Sequence, residues 1–158
     1  MSMQVTVHFI PEVATPLSED FFVRVAEETL RRCPLHGLHD KESVTLNVVA
    51  VTSEKIQELN KTYRGKDAVT DILSFGEYVD TVAFEQETRK EIFLGEIFFC
   101  QDVIAQAAQE DEVTLEHEMT YIFSHGILHV LGYDHCDEMF AQQDAVTEHL
   151  MKFSGKNI

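Results

Sequence analysis

Residues 119–131 constrain this chain more than any other stretch: they are apolar on nearly every side of a helix, yet they carry two histidines four residues apart. Met119, Ile122, Phe123, Ile127, Leu128, Val130 and Leu131 leave no polar stripe, and a helix without one has to be buried. Other elements must therefore pack around it. His125 and His129 fall one turn apart on a single face. Away from water, each needs a partner, because an unsatisfied polar group is expensive to bury. Gly132 follows, where a helix can end in left-handed backbone and the chain can double back to bring in His135. Imidazoles at i and i+4 can share one metal ion at about 2.0–2.1 Å each. A third histidine leaves the fourth tetrahedral position open, as a catalytic zinc site does. The alternative is a pair of core histidines bonded to backbone, with His135 an ordinary surface residue. Three histidines at this spacing, with a glycine at the turn, favour the metal.

The spacing is also that of the metzincin peptidases, HExxHxxGxxH. Here Gly126 stands where those enzymes carry the glutamate that acts as general base of peptide hydrolysis. The pattern implies a zincin-like metal helix adapted to other chemistry.

At 158 residues the chain is most simply one domain, 1–158, with room for a proper core. Cys33, Cys100 and Cys136 are odd in number and scattered, so a disulfide framework is not expected and a reducing compartment is favoured. Cys136 adjoins His135 but reads as a bystander, since neighbouring side chains usually point apart. No charged leader followed by an apolar run opens the chain, and no stretch approaches the roughly 20 apolar residues of a membrane span. A cytoplasmic protein with no membrane contact is expected. A formal charge of −16 argues against a general nucleic-acid-binding surface, DNA included. A local cationic strip is still available at Lys61, Arg64 and Lys66.

Hydrophobic periodicity gives the element order. Alternation over residues 5–10 predicts a first strand. From Ser18 the pattern turns helical, with Phe22, Val25, Ala26, Thr29 and Leu30 on one stripe, Glu19 and Asp20 at the start and Arg31 and Arg32 at the end, matching the helix dipole. The β-branched run 44–51 predicts a central strand. Thr52 or Ser53 can cap a helix to about Tyr63. Residues 72–75 and 92–100 read as strands. The acidic, unpatterned stretch 76–91 between them is the expected mobile excursion. Helices are predicted over 102–110, 115–131 and a last segment capped by Asp137, whose Phe140, Val146, Leu150 and Met151 should seek the core. This order gives an α+β fold with a mixed sheet covered by helices, and leaves strand order open.

The run HGILHVLGYDH at 125–135 closely resembles the signature of the YbeY family of bacterial rRNA-maturation endoribonucleases. LNKTYRGKD at 59–67 with TDILSF at 70–75, and LGEI at 94–97, are similar to further blocks of that family, in the same order. Val69 departs from the usual proline and Glu96 from the usual aspartate, and the strand that follows is unusually aromatic at Phe98 and Phe99. The resemblance implies a single-strand-specific, metal-dependent endoribonuclease acting in 16S rRNA 3′-end maturation and ribosome quality control. It implies one Zn²⁺ on His125, His129 and His135, and as partners rRNA, the small ribosomal subunit and its assembly factors. Two other readings stand beside it: a zincin-like metallopeptidase that recruits its base elsewhere, and a non-catalytic assembly module with structural zinc. Arg64 is the candidate catalytic residue, its guanidinium a forked donor for a phosphate. By position alone it reads equally as a cation at a helix end, and the resemblance favours the phosphate role. Asp71, Asp134 and Glu96 are candidate proton acceptors only by nearness in the motifs. Tyr133, Phe75, Phe98 and Phe99 are candidate base-stacking rings, with core packing the stronger reading for the last two. His8, His36, His39, His117 and His149 show no ligand spacing.

Overall fold

The computed structural model describes residues 3–151. Four strands, β1 (Gln4–Pro11), β2 (Ser43–Ala50), β3 (Ile72–Gly76) and β4 (Glu91–Phe99), form one sheet in the order β1-β2-β4-β3. β1, β2 and β4 run parallel, and β3 pairs antiparallel on the outer edge of β4. The helices are α1 (Glu19–Arg32), α2 (Ser53–Arg64), α3 (Thr81–Glu85), α4 (Gln101–Asp111), α5 (Leu115–Val130) and α6 (Asp137–Met151). The α+β class, the mixed sheet and the central place of β2 agree with the sequence reading. No helix among the described residues is long and apolar enough to cross a membrane.

Local chemistry accounts for most of the boundaries. Ser18, Thr52 and Thr114 each accept a hydrogen bond from a backbone N–H in the first turn of α1, α2 and α5, satisfying a donor that the helix itself leaves open. The predicted cap Asp137 is instead the first residue of α6, and the Cys136 carbonyl accepts from the Phe140 N–H. α1 and α5 pack together against the sheet. Their meeting point is Phe22, fully buried, with its ring centroid 4.9 Å from Phe9, 5.4 Å from Phe99 and 5.0 Å from Phe123. Burying one such ring contributes about 1.5–3 kcal/mol. α5 is thereby held as the central buried helix that its sequence requires.

Two expectations are corrected. Residues 76–91 are no unpatterned excursion. They contain α3, bury Tyr78 and Phe84, and are stitched to the body by the buried Lys41, whose ammonium donates to the carbonyls of Glu87 (2.9 Å) and Arg89 (2.6 Å). Glu87 accepts a bidentate pair from the Arg89 guanidinium, which with a lesser bond from the Tyr78 hydroxyl at 3.0 Å holds its carboxyl far below the usual range, while burial pushes the Tyr78 hydroxyl up to about 12. These bonds are long-range or between polar side chains, so hydrophobic periodicity does not register them. On α6, the buried stripe is Met139, Gln143, Val146 and Thr147. Val146 fulfils the expectation, Leu150 and Met151 are half-buried, and Phe140 is turned outward.

Candidate metal centre

α5 runs along β3, and Gly126 sets how close it comes. A Cβ there would stand 3.1 Å from Ser74 Oγ, 3.2 Å from Ile72 Cδ1 and 3.3 Å from Ile97 Cδ1. The position that carries glutamate in peptidases is therefore pressed against the sheet, where even a Cβ requires Ser74, Ile72 and Ile97 to give by a few tenths of an ångström. After Val130 the helix stops. The Gly132 N–H donates to His129 O and the Tyr133 N–H to Leu128 O, and Gly132 takes a positive φ of 104°. The chain turns back, and the ligand-type atoms of His125, His129 and His135 come within 4.8 Å of one another. Cys136 is exposed and is not part of this group.

The hydrogen bonds fix the tautomers. His129 Nδ1 lies 2.9 Å from the Tyr133 carbonyl, which can only accept, so Nδ1 carries the proton. Gln143 Nε2 donates to the Tyr121 carbonyl at 3.1 Å, which turns Oε1 toward His125 Nδ1 at 3.1 Å, so that nitrogen is protonated too. In both neutral rings the lone pair is then on Nε2, and the two Nε2 atoms face each other at 2.9 Å. Two acceptors at that distance repel unless something positive lies between them or beside them. A metal ion meets that need, and His135 adds a third nitrogen. Burial disfavours the charged form of His125 and of His129, and for His129 the neighbouring His125 adds to the effect, so both are held below the ordinary histidine range. Neutral imidazole is the form that binds metal. Gln143 was not legible as part of the site: it is 18 residues from His125, on another helix, and only its complete burial and its one acceptor reveal it. Gln143→Leu keeps the size but removes the acceptor. It is expected to weaken metal affinity about 10–100-fold with little loss of fold, read by competition with a chromophoric chelator.

The histidines lie in a cavity of about 920 Å³ that reaches from the end of α2 to the start of α6. Arg64 and Lys66 line it, whereas Lys61 turns to Asp67 at 3.9 Å. Arg64 is exposed but placed. One Nη2 donates to the Ser74 carbonyl at 2.7 Å and its guanidinium carbon sits 4.7 Å over the Phe75 ring. Since β3 lies between α2 and α5, the same strand locates both the arginine and the histidine helix. Asp71 and Asp134 also line the cavity. Asp71 Oδ1 accepts from the Ile72 N–H at 2.7 Å, and Asp134 Oδ1 accepts from the His135 N–H at 2.9 Å. Glu96 does not line it and takes a bond from Asn47. The candidate stacking rings are mostly committed elsewhere. Tyr133 is buried with its hydroxyl 3.5 Å from Cys33 Sγ, Phe99 is in the core, and Phe98 packs on Phe75, which also meets Tyr63 and Arg64. His39 bonds the Cys33 carbonyl and His149 lies 3.9 Å from Glu28, apart from the metal group.

Comparison with known proteins agrees with this geometry. The family model described as Endoribonuclease YbeY matches residues 12–151. Proteins named Endoribonuclease YbeY from Staphylococcus carnosus and Staphylococcus aureus (strain JH9) are each 36% identical to the chain, over 113 and 121 residues respectively. These matches cover 68% of this chain, and 73% and 74% of the two relatives. The solution structure of TM1509 from Thermotoga maritima superposes with a TM-score of 0.61 at 26% identity, covering 96% of this chain and 93% of that one.

Proposed function

Because the chain belongs to the YbeY endoribonuclease family, a family of metal-dependent RNA hydrolases, we propose that residues 1–158 act as one endoribonuclease domain that cuts single-stranded RNA with zinc held by His125, His129 and His135. The observation that carries this reading is the convergence of two fixed Nε2 lone pairs and a third histidine in a cavity that also holds Arg64. Zinc in such a site supplies Lewis-acid polarisation of a phosphoryl oxygen and acidifies bound water.

The chain's own groups do the rest. Ser74 O uses one of the five guanidinium N–H donors of Arg64, and the Phe75 face fixes its plane. The remaining fork faces phosphate oxygens, and its attraction grows as negative charge builds on them in the transition state. Lys66 adds a second positive charge on the same rim. Asp71 and Asp134, which both line the cavity, are the candidate carboxylates to take a proton from the attacking oxygen, whether that belongs to water or to a 2′-hydroxyl. The peptidase reading loses ground because the position of the glutamate it needs is Gly126, which carries no carboxylate and sits tightly against the sheet. The structural-zinc reading needs a fourth, closing protein ligand, and no other His, Cys, Asp or Glu among the described residues joins the group. The substrate we assign is 16S rRNA at its 3′ end, within maturation and ribosome quality control in the cytoplasm, with the small subunit and its assembly factors as partners. The three family-like sequence blocks support that assignment.

The test is cleavage of a short single-stranded RNA by purified protein, with and without chelator, beside Arg64→Lys. Cleavage should require metal. Arg64→Lys keeps the charge but loses the fork, and should lower kcat about 100-fold at unchanged metal content, the low end of the range for losing a transition-state donor. Intact RNA alongside a digested casein-type substrate would sink the nuclease reading.

A further inference from the structure

The cavity has one apolar wall that the chemistry above does not use. Phe140, at the start of α6, is 38% exposed and lines it, and so does Val79, 88% exposed, from the loop between β3 and α3. The exposure of Phe140 follows from the buried stripe of α6, which runs through its neighbour. Met139 beside it is fully buried, and Gln143, one turn on, is buried and holds His125. The ring is oriented. It lies 24° from the plane of His135 at 6.0 Å between centroids, and 26° from that of His125 at 6.2 Å. The two imidazoles are inclined by 32° to each other, and both Phe140 and His135 are open to solvent. The cations Arg64 and Lys66 line the same cavity from α2 and the loop after it, and the histidines lie inside it. A nucleotide is charged at its phosphate and has a flat apolar face at its base, and this cavity offers both surfaces.

We propose that Phe140 is a substrate-positioning residue: the base of a nucleotide adjoining the scissile phosphate stacks on its exposed ring, while that phosphate meets Arg64. The inference rests on the RNA reading given above. Stacking of this kind tolerates any base, because every base has a π-face, so Phe140 sets register along the strand and excludes paired bases without selecting a sequence. An unstacked base is available only in single strands, which ties the ring to single-strand preference.

The experiment uses the metal-loaded chain and a uridine-rich single-stranded RNA carrying one 2-aminopurine, with 2′-O-methyl sugars so that binding is read apart from cleavage. Metal content is measured on the same samples. The unmodified chain should bind and quench the fluorophore at one or two positions in the strand. Phe140→Ala should raise Kd about tenfold or more and abolish the quenching, and Phe140→Trp should restore both. With cleavable RNA, Phe140→Ala should raise KM more than it lowers kcat. Unchanged Kd and quenching in Phe140→Ala, beside weakened binding in Arg64→Ala, would overturn the stacking role and leave the RNA reading intact. Metal loss in Phe140→Ala that accounts for the whole effect would also overturn it, making the ring a cover for the histidines. No binding by the unmodified chain would remove the RNA reading and this inference with it.

Discussion

His129→Ala is expected to abolish RNA cleavage and to empty the metal site. The ring contributes at three levels. Its Nε2 is one of the two lone pairs that face each other at 2.9 Å, its Nδ1 ties the helix to the Tyr133 carbonyl beyond the turn, and its ring packs on both His125 of the same face (4.4 Å between centroids) and His135 of the returning chain (4.7 Å). Removing an outer hydrogen-bond partner of a ligand costs about 10–100-fold in affinity, so deleting the ligand itself should exceed the upper end of that range. Elemental analysis after dialysis should find little metal, and cleavage should fall more than about 100-fold. Fold should survive, since His129 is half-buried and the core around α5 is carried by Phe22, Phe123 and Leu128. The same chemistry sets the acid limit. Burial pulls His125 and His129 below the ordinary histidine range, so the neutral, ligating forms persist to lower pH than in an exposed pair. As pH falls through those lowered values, protons compete for Nε2 and metal should be released. Normal zinc content in His129→Ala would remove this histidine from the site.

How far the sequence carries to this point varies with the range of the interaction. The helix ends, the buried character of α5 and the grouping of the three histidines follow from spacings of a few residues, where caps and periodicity act directly. The antiparallel placement of β3 outside β4 does not, because strand order depends on which edges the crossovers reach. Gln143 is invisible for the same reason: its role exists only once α6 packs on α5. The sequence places Phe140 in the core, because an aromatic in an amphipathic helix is usually buried. The buried stripe passes through its neighbour Met139 instead, which turns the ring to the cavity. Residues 76–91 mislead by composition. Their acidic side chains suggest solvent, yet Glu87 is paired with Arg89 and Tyr78, and Lys41 is buried to hold the carbonyls.

That segment also explains why Gly132→Ala should be the most destabilising small substitution near the site. At a φ of 104° an alanine is strained, by about 1–2 kcal/mol. Its Cβ would in addition stand 2.2 Å from the Asp80 carbonyl carbon, 2.4 Å from its oxygen and 2.6 Å from Thr81 N. All three are backbone atoms, so no flexible side chain can give way. Nor can the segment retreat cheaply. Asp80 accepts from the Ala83 N–H to start α3, and the Lys41 and Glu87 bonds hold the residues that follow. Either the turn or the segment must move. A moving turn carries with it the Tyr133 carbonyl that orients His129, and His135 itself. Strain and displacement together should cost about 3 kcal/mol or more, which lowers Tm by roughly 6–12 °C in a chain of this size, and metal affinity should fall with it. Gly37 supplies the internal control. It too has a positive φ, 86°, but a Cβ there meets nothing within 4 Å. Gly37→Ala should therefore show the conformational cost alone, about 1–2 kcal/mol, and keep its metal. If the two variants melt together and both retain metal, the acidic segment does not buttress the histidine turn. If only Gly132→Ala loses metal, the stretch that looked like a solvent excursion is part of what builds the site.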